Sequence, residues 1–239
     1  MGPVLFDDCT RLKNALWNLR LEPDVRRFEP VFNALVKALR SGLPEAEAER
    51  VLAESGSDIS CRALRNYAPA SSWAILKGSV LEARADAVVN AASPTLLGGG
   101  GVDGAIHRAA GPKLRKACAL LGGCPPGEVR ATGAYGLKNT QIIIHAVGPM
   151  YQSLENDAPA LRSAYKKSLG AARELGAASI AFPCISAGAY GFPLAPSAET
   201  ALESVTSWQA ENAGYALDVY FCCFTEAEYA TYLGLAKSI

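Results

Sequence analysis

Residues 88–107 read Val88-Val89-Asn90-Ala91-Ala92-Ser93-Pro94-Thr95-Leu96-Leu97-Gly98-Gly99-Gly100-Gly101-Val102-Asp103-Gly104-Ala105-Ile106-His107. An apolar run passes through a loop into four consecutive glycines and then into a helical pattern. Without Cβ atoms, the backbone N–H groups of the glycines can face a ligand, and a helix starting near Val102 adds the positive end of its dipole. The stretch therefore predicts a phosphate-binding loop between a strand and a helix. A mere flexible turn would contain the glycines but not the flanking strand and amphipathic helix.

Gly99 to Gly104 also satisfy the G-x-G-x-x-G pattern of dinucleotide-binding folds. Two features count against that reading. The glycines begin eight residues after Asn90, and no acid between Ala105 and Gly127 is available to meet ribose hydroxyls. A nucleoside-triphosphate loop is excluded because no Gly-Lys-Ser/Thr follows.

Further apolar runs alternate with helical segments on either side. Trp73–Leu76, Ala87–Val89, Ile142–Val147, Ile180–Ile185 and Val219–Phe224 read as strands, several of them apolar on both faces. Such strands need helices above and below, which predicts a three-layer α/β/α sandwich. Leu161, Ala164, Ser168, Ala172 and Leu175 line one helical stripe, and Leu202, Val205 and Trp208 another.

The texture differs before residue 70. Leu12, Ala15, Leu16 and Leu19 recur at helical spacing behind Asp7 and Asp8, as do Phe32, Leu35 and Leu39 behind Pro30. Pro44 with Glu45, Glu47 and Glu49 opens a third helix, with Gly56 as its stop, and Pro69 to Ser72 reads as a linker. Residues 1–70 are thus expected to be a helical extension and 71–239 the α/β domain. The extension carries no visible catalytic residue, so a chain starting near Ala70 is expected to fold and keep its ligand site.

Lys plus Arg equals Asp plus Glu, at 23 each, which argues against non-specific nucleic-acid binding. Any anion site must be local. The seven cysteines form no C-x-x-C pair and neither histidine has a visible ligand set, so neither a metal nor a cofactor is expected. Asp7 and Asp8 stand where a signal peptide carries positive charge, and no apolar run approaches a membrane span. An intracellular, cytoplasmic location is the expectation.

Asp103 and His107, four residues apart, share a helical face directed back toward the glycines, where a carboxylate and an imidazole can order a water or move a proton. An acid at a helix N-terminus and a core histidine would leave the same trace. A second loop follows the strand at Ile180: Ser186-Ala187-Gly188-Ala189-Tyr190-Gly191-Phe192. Its small residues allow a second phosphate to approach, with Tyr190 and Phe192 as candidate walls for a sugar.

With these motifs in place, the region from about Ala74 to Leu235 resembles the macrodomain family, specifically its MacroD-type branch. The matching stretches are Asp86–Ala92, Leu96–Pro112, His145–Pro149 and Ala181–Phe192. The resemblance implies ADP-ribose and ADP-ribosylated proteins as partners, and hydrolysis of ADP-ribosyl esters on acidic side chains or of O-acetyl-ADP-ribose. It implies Asp103, His107 and Asn90 as catalytic residues. Gly99, Gly100, Gly101 and Val102 would hold the distal ribose and α-phosphate, and Ser186, Ala187, Gly188, Ala189 and Tyr190 the pyrophosphate. Ser79, Val80, Ser93 and Phe224 complete the implied ADP-ribose site, Phe224 as the adenine platform. Two departures stand out. Ser79 replaces the aspartate that reads adenine in relatives, and Ser93 replaces an asparagine near the distal ribose; the second favours an ADP-ribose reader without turnover as the alternative.

Overall fold

The computed structural model describes residues 7–21, 29–54 and 72–237. Three helices come first: α1 (Asp8–Leu19), α2 (Glu29–Arg40) and α3 (Glu45–Glu54). Asp7 caps α1 by accepting the Thr10 N–H at 2.7 Å, satisfying a donor that has no partner inside the helix. Gly56 and most of the expected linker lie outside the described residues, as do the side chains of Leu19 and Phe32.

The remaining elements are β1 (Ser72–Lys77), β2 (Ala87–Ala91), α4 (Gly101–Ala110), α5 (Pro112–Leu120), β3 (Val129–Gly133), β4 (Ile142–Ala146), α6 (Leu154–Glu174), β5 (Ser179–Pro183), α7 (Leu194–Glu211), β6 (Asp218–Cys223) and α8 (Glu226–Ala236). The strands form one sheet in the order β1-β6-β5-β2-β4-β3. All pairings are parallel except β3 with β4.

Alternate residues of each buried strand enter two different cores, because side chains on a strand point to opposite faces. Leu76, Val88, Ile143, Ala181 and Tyr220 pack on one side, and Ile75, Val89, Ile144, Phe182 and Phe221 on the other. The first core is closed by α1 to α5 and the second by α6 to α8. The three-layer sandwich expected from two-sided apolar strands is the one observed.

The N-terminal helices belong to one of these layers. Leu12, Ala15, Leu35 and Val36 share a core with Leu76 and Tyr220. Polar pairs fix the seam. Asn18 and Arg84 exchange reciprocal bonds, Nδ2 to the carbonyl at 2.8 Å and N–H to Oδ1 at 2.7 Å. Arg11 Nε donates to the buried Asp86 carboxylate at 3.0 Å, and Asn33 Nδ2 to Asp218 Oδ1 at 2.6 Å.

Three elements, β3, α5 and α8, go beyond the sequence reading. β3 is an antiparallel edge strand with no fully buried residue, so it has neither an apolar run nor a clean alternation. α5 buries only Leu114 and Cys118, too thin a stripe to stand out.

Candidate functional site

A cleft of about 510 Å³ opens over the C-terminal ends of the parallel strands. Its lining comes from just after β1 (Ser79, Val80), the end of β2 and beyond (Ala91 to Ser93), the segment after β4 (Gly148), the end of β5 and beyond (Pro183 to Ser186), and the end of β6 and the residue after it (Cys222, Phe224). Open α/β sheets bind ligands at this edge, where loops are freed from the ladder.

The glycine loop forms one wall. Gly99 to Val102 line the cleft, and α4 begins at Gly101, so its unpaired N–H groups and dipole face the space. Gly104 is required here: a Cβ on it would stand 2.3 Å from the Gly99 carbonyl oxygen, so loop and helix pack backbone against backbone. Facing it, Ser186, Gly188, Ala189 and Tyr190 form the second wall. Gly148 makes a similar close approach, with a Cβ placed 2.1 Å from Ser186 Oγ. Among the described residues, Asp103 and Glu228 are the only charged side chains of the lining. A diphosphate in this cleft would meet no Lys or Arg side chain among the described lining residues.

Asp103 is 4% exposed and sits in the first turn of α4. Its Oδ1 accepts from Asn90 Nδ2 at 2.8 Å and its Oδ2 from the Ser93 N–H at 3.3 Å. His107 Nε2 lies 3.5 Å from Oδ1, near enough for attraction once protonated but without hydrogen-bond geometry. Both His107 ring nitrogens, Asn90 Oδ1 and Ser186 Oγ are buried without a hydrogen-bond partner. Such atoms are costly unless something else supplies the bond, and here they cluster around the cleft.

Most of the residues singled out in the sequence meet here. Ser79, Val80, Ser93, Gly99 to Val102, Asp103, Ser186, Gly188, Ala189, Tyr190 and Phe224 line the cleft. Ala187 does not, although both its neighbours do; Asn90 and His107 stand behind the lining, in contact with Asp103. Phe192 corrects an expectation: it is 2% exposed and packs on Tyr151 with ring centroids 4.9 Å apart, so it is core rather than a sugar wall. Phe224 is 73% exposed and lines the cleft, an aromatic surface of the kind that offers a base a stacking platform. Burial and the nearby Asp103 raise the Tyr190 phenol above its usual pKa, keeping it a neutral donor.

Ala105, Gly148, Cys184, Cys222 and Glu228 also line the cleft, and His145 and Thr132 lie behind it. The sequence reading gave none of these a role. For His145 a signal existed: it is the one polar residue inside the wholly buried strand Ile142–Ala146.

Ligand atoms of His107, Cys118 and His145 come within 4.8 Å of one another. The set is ill suited to a metal as it stands. Both His145 nitrogens are engaged in hydrogen bonds, and burial, with Asp103, pushes the Cys118 thiol up to about 11, away from the thiolate a metal needs.

A sheet edge presenting two glycine-bearing loops, a buried carboxylate and an exposed aromatic has the make-up of a site for an extended phosphate-linked nucleotide. The family follows from comparison with known proteins. Residues 89–201 match the Macro domain family. The chain is 45% identical over 157 residues to the O-acetyl-ADP-ribose deacetylase of Citrobacter rodentium, spanning 64% of this chain and 88% of that protein. It is 42% identical over 160 residues to human ADP-ribose glycohydrolase MACROD2, spanning 66% of this chain and 37% of that protein. The crystal structure of the Trypanosoma brucei macrodomain in complex with ADP-ribose superposes with a TM-score of 0.65 at 33% identity, covering 84% of this chain and 90% of that one. The chain belongs to the macrodomain family. Among the described residues no helix is long and apolar enough to cross a membrane.

Proposed function

We propose that this protein binds ADP-ribose and hydrolyses ADP-ribosyl esters, either mono-ADP-ribosyl groups on acidic protein side chains or O-acetyl-ADP-ribose. The observation that carries the reading is the Asp103 carboxylate, buried in the first turn of α4 and lining the same cleft as the glycine loop. The pyrophosphate lies between the N–H groups of Gly99 to Val102 and those of Ser186 to Tyr190, and adenine stacks on Phe224. The distal ribose ester then reaches Asp103. Most of the catalytic effect is positioning and preorganised charge. A water held by Asp103, or by the bound phosphate, attacks the ester, while His107 orients or protonates. Relatives named as a deacetylase and a glycohydrolase support the hydrolytic class.

Ser93 supports a second reading, an ADP-ribose reader without turnover. Its hydroxyl pairs with Thr95 Oγ1 at 3.1 Å, and it is too short to offer what an amide would. The two readings part in one experiment. Calorimetry with free ADP-ribose should show one site of micromolar affinity, about 8 kcal/mol. Incubation with an aspartyl- or glutamyl-ADP-ribosylated protein and with O-acetyl-ADP-ribose should release product. Binding without product selects the reader; no binding up to millimolar ligand rejects both.

A further inference from the structure

Behind Asp103 runs a chain of buried and half-buried side chains whose hydrogen-bond directions can be worked out one by one. A carboxylate only accepts hydrogen bonds, so the Asn90 side-chain atom 2.8 Å from Asp103 Oδ1 is the amide nitrogen. That amide has a second N–H, and His145 Nδ1 lies 3.1 Å from the same nitrogen. Nδ1 must then hold a lone pair, and the His145 proton must sit on Nε2. Thr132 Oγ1, 3.0 Å from Nε2, is placed to accept it, with Cys118 Sγ at 3.5 Å as a weaker neighbour. Burial, and the charge of His107 when protonated, lower the His145 pKa to about 4, so the ring stays neutral at ordinary pH. Each link in Thr132–His145–Asn90–Asp103 has one donor and one acceptor.

We propose that His145 is a positioning residue of this site: its Nδ1 lone pair, kept available by Thr132, holds the Asn90 amide in the one orientation that binds Asp103. Resting on the hydrolytic reading above, the proposal assigns His145 no contact with substrate. A reversed Asn90 amide would set its oxygen against the Asp103 carboxylate and release that group. In the observed orientation the oxygen, on the far side of the amide carbon, is the buried atom without a partner. Asn90 thereby keeps an acceptor free for a donor hydroxyl while both its N–H groups serve the network.

The test combines a spectroscopic readout with kinetics. A long-range proton–nitrogen NMR spectrum of the full-length protein should show His145 as the neutral Nε2–H tautomer, unchanged from pH 5.5 to 8. In kinetics on O-acetyl-ADP-ribose, His145→Phe, which keeps a ring but removes the acceptor, should lower kcat about tenfold, the scale of one lost hydrogen bond. The ADP-ribose Kd should change by less than about threefold. His145→Asn, whose Oδ1 replaces the lost acceptor, should recover most of that kcat. Should His145→Phe not fold, Thr132→Val takes its place and should lower kcat in the same way.

An Nδ1–H tautomer in the parent protein overturns the proposal. So does a folded His145→Phe with unchanged kcat, or an Asn variant no better than Phe. If the parent protein binds ADP-ribose but turns over neither ester, the hydrolytic reading fails by itself. The proposal for catalysis falls with it, and the spectrum still separates that failure from a wrong tautomer.

Discussion

Arg11→Met tests whether the N-terminal layer is held by charge as well as by apolar contact. Asp86 is fully buried just before β2 and receives Arg11 Nε at 3.0 and 3.3 Å, with the Ala178 N–H on Oδ2 at 2.7 Å. Methionine keeps the apolar stem of Arg11 and removes only the guanidinium. Removing one partner of a buried pair costs about 3–5 kcal/mol. The Ala178 bond survives and the Arg11 side chain is 20% exposed, so the lower figure applies, about 3 kcal/mol. In a chain of this length that corresponds to a fall in Tm of about 6–12 °C. The sign of the pH dependence follows from Asp86, whose pKa burial raises despite Arg11. A carboxyl with a raised folded pKa loses stabilisation as pH rises through that value. Without Arg11 the shift grows, so the deficit should be larger at pH 8 than at pH 5. Urea denaturation at both pH values, with Asp86→Asn and the double variant completing a cycle, measures the coupling. ADP-ribose affinity should not change, because Asp86 lies about 13 Å along the strand from Asn90. A variant melting within about 2 °C of the parent, or a deficit independent of pH, would refute the reasoning.

Asp103→Ala should lower ester hydrolysis at least about a hundredfold and leave ADP-ribose binding largely intact; unchanged turnover removes Asp103 from the mechanism. Gly104→Ala forces a Cβ to within 2.3 Å of the Gly99 carbonyl and should weaken ADP-ribose binding more than tenfold by calorimetry, about 1.4 kcal/mol or more. Asp218→Asn removes a buried carboxyl whose pKa burial raises to about 6, while Asn33 and Ser72 can still donate to Oδ1. Its stability advantage over the parent should appear as pH rises from about 4 to about 6 and reach at most about 3 kcal/mol above that, read from urea midpoints. A chain starting near Ala70 keeps every cleft-lining residue and is expected to bind ADP-ribose with a lower Tm, since it uncovers Leu76 and Tyr220; a folded product that does not bind would show that the extension shapes the cleft.

By itself the sequence determined the parts of this protein whose physics is local. Two-sided apolar runs such as Ile142–Ala146 require helices on both faces, and Gly98 to Gly101 between a strand and a helix make an N–H-lined loop wherever that unit is placed. The four-residue spacing of Asp103 and His107 placed them on one helical face in advance. Tertiary structure decided what depends on distant neighbours. The apolar stripes of α1 and α2 say that something covers them, and only the fold shows it to be the sheet face that α4 and α5 also cover. Tyr190 and Phe192 are both aromatics in one loop, yet one faces the cleft and the other the core, since the direction of a loop side chain follows no sequence period. The β3 edge, half-exposed and antiparallel, carries no periodic signal, yet it supplies Thr132 to His145. Residues 90, 103, 132 and 145 become one hydrogen-bonded chain only after β2, α4, β3 and β4 have met, because a hydrogen bond depends on distance and direction in space rather than along the chain.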